Sequence, residues 1–389
     1  MKAAIIGASE ESLHTIEKAH ELGLKIIALD GNPKAAGLET ADTPVVVNIS
    51  DESATLDVLE KLHPDFTLTV PIGRYLTTIG FINDKLNLPG IKREQAAYCT
   101  DKYLFHTKLA ELGLRNCHCY LVHNGLSDDP VLNFPAILKP RFGSGSRDVY
   151  FINNENELNE SLKRVEGEDY VLEECIAGDE YGFDAAIIDG TLHLILLRKK
   201  DNTPLPARQA VAYYSVNPKS HIYYIMSKYI ADITSALELD DCLVHGDLID
   251  NENGPFVIEL SARPSGHNLH NLFTPLCTGV DMAEQYIRFR MGLKASFIPQ
   301  YTKNMMIHYF DFSGTVNSVP TKDNICDIVS EYNASLVKWN CNIHVGDELV
   351  PVTNGHSLMS RGYYIIEFPN DYDAASIHEL VSKIHSQFA

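Results

Sequence analysis

His245-Gly246-Asp247-Leu248-Ile249 runs into the turn Asp250-Asn251-Glu252-Asn253-Gly254-Pro255 and returns as Phe256-Val257-Ile258-Glu259-Leu260-Ser261-Ala262-Arg263. Two apolar segments joined by an Asn/Gly/Pro turn read as an antiparallel hairpin. Its geometry sets Asp247 nearly opposite Glu259, give or take one residue of register. Facing carboxylates among apolar neighbours repel, so such a pair implies something positive between them. Ser261 shares a face with Glu259 by the two-residue strand period and adds a third oxygen. A few hard oxygen ligands suit Mg²⁺ completed by water and phosphate oxygens. Arg263 closes the strand, where a guanidinium can meet a phosphoryl group in transfer. The competing reading is a solvated hairpin, and Val257, Ile258 and Leu260 weigh against it.

Upstream, Phe134-Pro135-Ala136-Ile137-Leu138-Lys139-Pro140 leads into Arg141-Phe142-Gly143-Ser144-Gly145-Ser146-Arg147. A strand-end Lys139 can reach phosphates while keeping its charge, and a Gly/Ser loop offers unobstructed backbone N–H groups. The loop lacks the Gly-Lys-Ser/Thr ending of a P-loop. Next comes Tyr170-Val171-Leu172-Glu173-Glu174-Cys175-Ile176-Ala177-Gly178-Asp179-Glu180-Tyr181, an apolar strand ending in acids, a turn, and Glu180 opening another strand. Backbone groups there can read an adenine edge while carboxylates accept from ribose hydroxyls. Taken singly, each stretch reads first as an ordinary turn or charged hairpin.

Outward from these, the first hundred residues alternate strand and helix: Ala3 to Ile6, Leu13 to Leu22, Lys25 to Leu29, Thr55 to Leu62, Phe66 to Val70 and Tyr75 to Leu86. That rhythm predicts an open parallel sheet. The first turn, Gly7-Ala8-Ser9-Glu10-Glu11-Ser12, weighs against a dinucleotide fold, because it lacks two of the fingerprint glycines and sets two carboxylates where a pyrophosphate would sit. Asp30, ending the second strand, reads as a turn residue. Helix Asp101 to Leu112, helix Glu155 to Val165 and helix Ile222 to Leu237 follow, and the tail beyond about 300 carries short strands and a final helix from Ala374 to Ile384.

The composition, 45% hydrophobic and 22% charged over 389 residues, is that of a globular chain. A formal charge of −20 argues against nucleic acid or an anionic membrane as partner. No stretch has transmembrane length, and the N-terminus lacks signal-peptide architecture. Eight dispersed cysteines, with Cys117 and Cys119 the only close pair, read as reduced thiols of a cytoplasmic protein.

In this order and spacing the segments resemble the ATP-grasp superfamily across nearly the whole chain. The resemblance rests on Asp101-Lys102 opening a helix, Lys139 with its Gly-rich loop, the Glu-Glu-x-Ile-x-Gly-x-Glu stretch at 173–180, and the acidic pair at 247 and 259. It is nearest to the carboxylate–amine ligases, a group that includes L-amino-acid (dipeptide) ligases and stands near biotin carboxylase; Thr278-Gly279-Val280-Asp281, Val345-Gly346-Asp347 and Arg361-Gly362 look like that group too.

The resemblance implies an α/β N-terminal domain (1–97), an α+β ATP-grasp fold (98–300) with a lid at about 115–175, and a small α+β C-terminal domain (301–389). It implies that Lys102 and Lys139 hold ATP phosphates beneath Ser144, Gly145 and Ser146. Glu173, Glu174 and Ile176 would form the adenine hinge and Glu180 would meet the ribose. Asp247, Glu259 and Ser261 would hold Mg²⁺, with Mn²⁺ able to substitute, and Arg263 with Lys139 would act in catalysis. Two positions depart from the family, which usually has Glu at 247 and Asn at 261. The implied reaction is attack of a carboxylate on ATP, then of an amine on the acyl phosphate, in a protein that acts on small molecules and admits a homodimer. Rival readings are a bicarbonate-activating carboxylase of the purine-synthesis type, a kinase that stops at phosphorylation, and a non-catalytic ATP-binding regulator. Arg198 to Arg208 reads as a basic loop over the substrate cleft, with the Arg263 to His270 segment and Arg74 as further candidates.

Overall fold

The computed structural model describes all residues except 116, 127–130, 144–147, 205–207, 353–354 and 370–373. The N-terminal segment forms the expected parallel sheet, built from β1 (Lys2–Ile6), β2 (Lys25–Asp30), β3 (Thr43–Val46) and β4 (Phe66–Leu68) in the order β3-β2-β1-β4. Ala3 to Ile6 are buried without alternation, as a central parallel strand covered on both faces demands. Asp30 is the turn residue expected of it: its carboxylate accepts from the backbone N–H of Ala8 (2.7 Å) and of Asn32 (2.8 Å).

A second, antiparallel sheet contains β5 (Cys119–Val122), β6 (Ala136–Pro140), β7 (Tyr150–Ile152) and β8 (Tyr170–Glu174) in the order β5-β8-β6-β7. The helix Glu155–Arg164, N-capped by Asn154, places Leu158 in the small core beneath Val122, Leu138 and Leu172.

The third sheet is eight-stranded and antiparallel throughout. Its strands are β9 (Asp179–Ile188), β10 (Thr191–Asn202), β11 (Ala210–Ser215), β12 (Cys242–Asn251), β13 (Gly254–Ser261), β14 (Met305–Tyr309), β15 (Ser335–Cys341) and β16 (Gly362–Glu367). They lie in the order β13-β12-β9-β10-β11-β14-β16-β15, so strands from beyond residue 300 continue the sheet that carries Asp247 and Glu259. One apolar core runs from β1 and β2 through the face of this sheet and the helix His221–Ala236.

The β12–β13 hairpin has the register read from its turn: Asp247 pairs with Glu259 and His245 with Ser261. A bulge follows Asp247, the kind of defect that re-aims side chains beside a site. Gly246 is required there by space, because a Cβ would stand 2.7 Å from both the Glu259 carbonyl and the Phe183 ring.

Candidate active site

The three sheets and the helix Lys102–Glu111 enclose a cleft of about 1080 Å³. Lys139 enters it from β6 and Glu173 from β8, the neighbouring strand. Lys139 Nζ is 2.9 Å from Glu173 Oε1, while Glu173 Oε2 accepts from Arg115 at 2.9 Å. His106 Nε2 lies 3.2 Å from the same carboxylate. Burial opposes ionisation of Glu173, yet His106, Lys139 and Arg115 together hold its carboxyl well below the usual range. The Glu173 side chain is thus occupied by protein cations. Arg115 also donates to the Val257 carbonyl (3.0 Å), which fastens the small antiparallel sheet to the β12–β13 hairpin.

Lys102 is aimed by its neighbour. Asp101 caps the helix Lys102–Glu111 through the N–H groups of Tyr103 and Leu104, and takes both Nε (2.9 Å) and Nη2 (2.6 Å) of Arg141. That leaves Lys102 Nζ 2.8 Å from the Gly143 carbonyl, at the threshold of the Gly-rich loop. Burial lowers the Lys102 pKa, against the pull of Glu259. Ser144, Gly145 and Ser146 lie outside the described residues. Glu174 and Ile176 line the cleft at the turn after β8, with Glu174 accepting from Asn133 (2.9 Å).

Strand β10 corrects the expectation of a basic loop at Arg198 to Arg208. Residues 198–202 are strand, and alternation separates the charges: Arg198 and Lys200 face the cleft, while Lys199 points away to Asp179 (3.1 Å). Arg198, 2% exposed, is bound to Asp184, whose carboxylate also accepts from Thr274 Oγ1 at 2.6 Å. Lys200 Nζ lies 2.7 Å from Asp247 and 3.8 Å from Glu180, and Arg208 Nε donates to Glu180. Despite burial, Asp247 raises the Lys200 pKa, so this ammonium is a permanent charge.

Asp247 and Glu259 both line the cleft. Among the described residues no cation pairs with Glu259 within 4 Å, although Lys102 and Arg263 feel its field. Burial lowers the Arg263 pKa against Glu259 and Glu11, and Arg263 Nη1 donates to the Pro264 carbonyl at 2.9 Å. Ser261 is not brought into the main cleft. It opens onto an adjoining recess of about 50 Å³ that it shares with Lys102, Glu259 and Arg263.

This arrangement has a counterpart in sequence families: the family model described as the ATP-grasp domain matches residues 132–270. The chain carries an ATP-grasp domain. The L-amino acid ligase from Bacillus licheniformis superposes with a TM-score of 0.78 at 20% identity, covering 99% of this chain and 97% of that one. A phosphoribosylglycinamide synthetase from Anaerococcus prevotii gives 0.72 at 19%, covering 99% and 98%. Among curated relatives, a formate-dependent phosphoribosylglycinamide formyltransferase of Prochlorococcus marinus (strain MIT 9515) is 22% identical over 46% of this chain and 48% of its own length. The chain therefore spans about half the length of the first curated relatives it matches. At such identities the structural likeness shows the ATP-grasp fold.

The ATP-grasp match contains Lys139, Glu173, Glu174, Ile176, Glu180, Asp247, Glu259, Ser261 and Arg263, whereas Lys102 lies before it. Four contributors to the ATP-grasp cleft escaped the sequence reading. Arg115 and His106 complete the Glu173 cluster, Asp184 holds Arg198, and Glu11 reaches the cleft from the N-terminal sheet, where its Oε1 accepts from the His267 N–H at 3.1 Å. The paired acids Glu10-Glu11 were visible at the first turn, and their direction was not. Arg74 lines the cleft, and of the segment from Arg263 to His270 the residues Arg263, Ser265, Gly266, His267 and Leu269 do, whereas His270 does not.

Proposed function

We propose that this chain is an ATP-dependent carboxylate–amine ligase, which activates a carboxylate as an acyl phosphate and passes the acyl group to an amine, releasing ADP and phosphate. The observation that carries the reading is one cleft in which Asp247 faces Glu259 while Lys102, Lys139 and Arg263 converge on the same space. The donor set fits Mg²⁺: two carboxylates meet across a hairpin, and Glu259 is left without a protein cation in contact among the described residues. Bound there with ATP, Mg²⁺, or Mn²⁺ in its place, supplies neutralisation of phosphate charge.

The residues have separable tasks. Lys139 and Lys102 bind phosphates, with Ser144, Gly145 and Ser146 covering them. The backbone at Glu173, Glu174 and Ile176 receives the adenine, since the Glu173 carboxylate is engaged elsewhere, and Glu180 receives the ribose. Arg263 steadies the transferring phosphoryl group, and Ser261, in the adjoining recess, would add its hydroxyl to the oxygen ligands of Mg²⁺. Positioning and charge neutralisation suffice for phosphoryl transfer, so no covalent nucleophile is assigned. The working units are 1–97, 98–300 with a lid at about 115–175, and 301–389. Small carboxylates and amines are the substrates, a homodimer is the assembly, and the setting is cytoplasmic. All eight cysteines are free, and no helix among the described residues is long and apolar enough to cross a membrane.

The test is ADP release across carboxylic acids paired with amines, read together with product mass. Turnover that needs both an acid and an amine supports the ligase. Turnover that needs bicarbonate alone as the acid transfers the reading to the carboxylase class, and nucleotide binding without turnover leaves a regulator.

A further inference from the structure

Outside the ATP-grasp cleft, two imidazoles and a carboxylate converge at the far end of the large sheet. His308 lies on β14, Asp311 two residues beyond it, and His385 ends the helix Ala374–His385. One ligand atom from each lies within 4.8 Å of the others. We propose that His308, Asp311 and His385 bind a divalent cation of borderline softness, of the Zn²⁺ class, which ties the last helix to the sheet.

The donor set is the argument. His308 Nδ1 lies 2.7 Å from the Tyr309 carbonyl, which can only accept, so Nδ1 carries the proton and Nε2 keeps its lone pair. A backbone carbonyl behind one ring nitrogen is the usual outer partner of a metal-binding histidine. His385 Nε2 stands 3.4 Å from the Tyr364 hydroxyl, and its Nδ1 is 3.6 Å from Asp311 Oδ1. Rings fix both imidazoles: Tyr364 stacks on His308 at 5.3 Å, and Phe312 lies 5.1 Å from His385. Burial lowers the pKa of both His385 and His308, the direction that favours a neutral imidazole donor. Among the described residues, Asp311 has no ion-pair partner within 4 Å except His385. Asp201, 3.6 Å from His378, lies close enough to act on His308 and supplies further charge to the neighbourhood.

Two imidazoles and one carboxylate are a three-ligand set that leaves a fourth position for water. Tetrahedral ligation at about 2.1 Å places ligands roughly 3.4 Å apart, so the triad must draw in by at most about 1.4 Å, and His385 Nδ1 already stands 3.6 Å from Asp311 Oδ1. Asp311, with a side chain 28% exposed, has room to make that movement. None of the three lines the cleft, so the site is separate from ATP chemistry.

The experiment uses the full chain, stripped with chelator and titrated with Zn²⁺ and Co²⁺ without nucleotide. Wild type should take up about one equivalent of Zn²⁺, melt higher with it, and give visible Co²⁺ d–d bands lacking the thiolate charge transfer of cysteine ligation. His385→Ala and Asp311→Asn should each weaken Zn²⁺ uptake by about 100-fold or more and abolish the melting shift. Equal binding by wild type and both variants, no binding by wild type, or a thiolate charge-transfer band overturns the proposal. Should a variant fail to fold, the wild-type Co²⁺ spectrum decides alone.

Discussion

Replacing Glu259 with Gln probes the metal assignment with little change of shape. In the free protein Asp247 and Glu259 oppose each other across the hairpin, with Lys200 already 2.7 Å from Asp247. Removing one of two facing like charges should stabilise the free protein by about 0.2–1 kcal/mol. Unfolding entropy of about 2.1 cal/mol/K per residue over 389 residues gives roughly 0.8 kcal/mol/K, so melting should rise by no more than about 1 °C. Mg²⁺–ATP at 100 times its dissociation constant stabilises wild type by about 2.7 kcal/mol, or roughly 3 °C. A tenfold loss of affinity in Glu259→Gln reduces this to about 1.4 kcal/mol, and a hundredfold loss to about 0.4 kcal/mol. Turnover should disappear. If Glu259 were instead the structural counter-ion of Arg263, its neutralisation would leave a buried charge and cost about 3–5 kcal/mol, a fall of roughly 4 to 6 °C. The assay is four melts, each protein with and without Mg²⁺–ATP, beside ADP release. A lower melting temperature in the free variant with unchanged nucleotide stabilisation and turnover would refute the reasoning.

Three further outcomes are expected. Lys139→Ala should lower turnover by about 100-fold or more while circular dichroism stays that of wild type, because Glu173 keeps Arg115 and His106 as partners. Asp184→Ala should destabilise the protein by about 3–5 kcal/mol in denaturant unfolding, since it strands the buried Arg198. His270 is fully buried, and burial lowers its pKa to about 4, so its folded value lies below the unfolded value of about 6.5. Its stabilising effect is complete above pH about 6.5 and is lost as pH falls towards 4, because only the unfolded state takes up the proton there. Melting temperature against pH should show this decline, and His270→Gln should remove its share, leaving the part due to other buried histidines such as His106 and His385.

The β12–β13 hairpin was legible because two local patterns agreed: an Asn/Gly/Pro turn fixes where the chain reverses, and alternation then fixes which residues face each other. The predicted opposition of Asp247 and Glu259 needed nothing from elsewhere in the fold. The parallel N-terminal sheet was legible for the same reason, although β3, the short segment Thr43–Val46, was missed. It lies at the sheet edge and contains Pro44, which weakens a strand pattern.

Strand β10 failed for a different reason, and the failure lies at the wall of the candidate site. Arg198-Lys199-Lys200 has the composition of solvated surface, yet the sheet buries alternate members against acids that arrive from other strands. Asp184 comes from β9 and Asp247 from β12, some 14 and 47 residues away along the chain. A buried cation is tolerable only when its partner is in place, and that partner is set by sheet order, which local pattern does not encode. The Glu173 cluster obeys the same rule: Arg115, His106 and Lys139 converge from three elements on one carboxylate. Long-range charge pairing therefore turns a sequence of ordinary surface residues into a cleft whose positive groups are already aimed by the protein itself. Preorganised charge of this kind costs no rearrangement at the moment of transfer, which is the property phosphoryl chemistry requires.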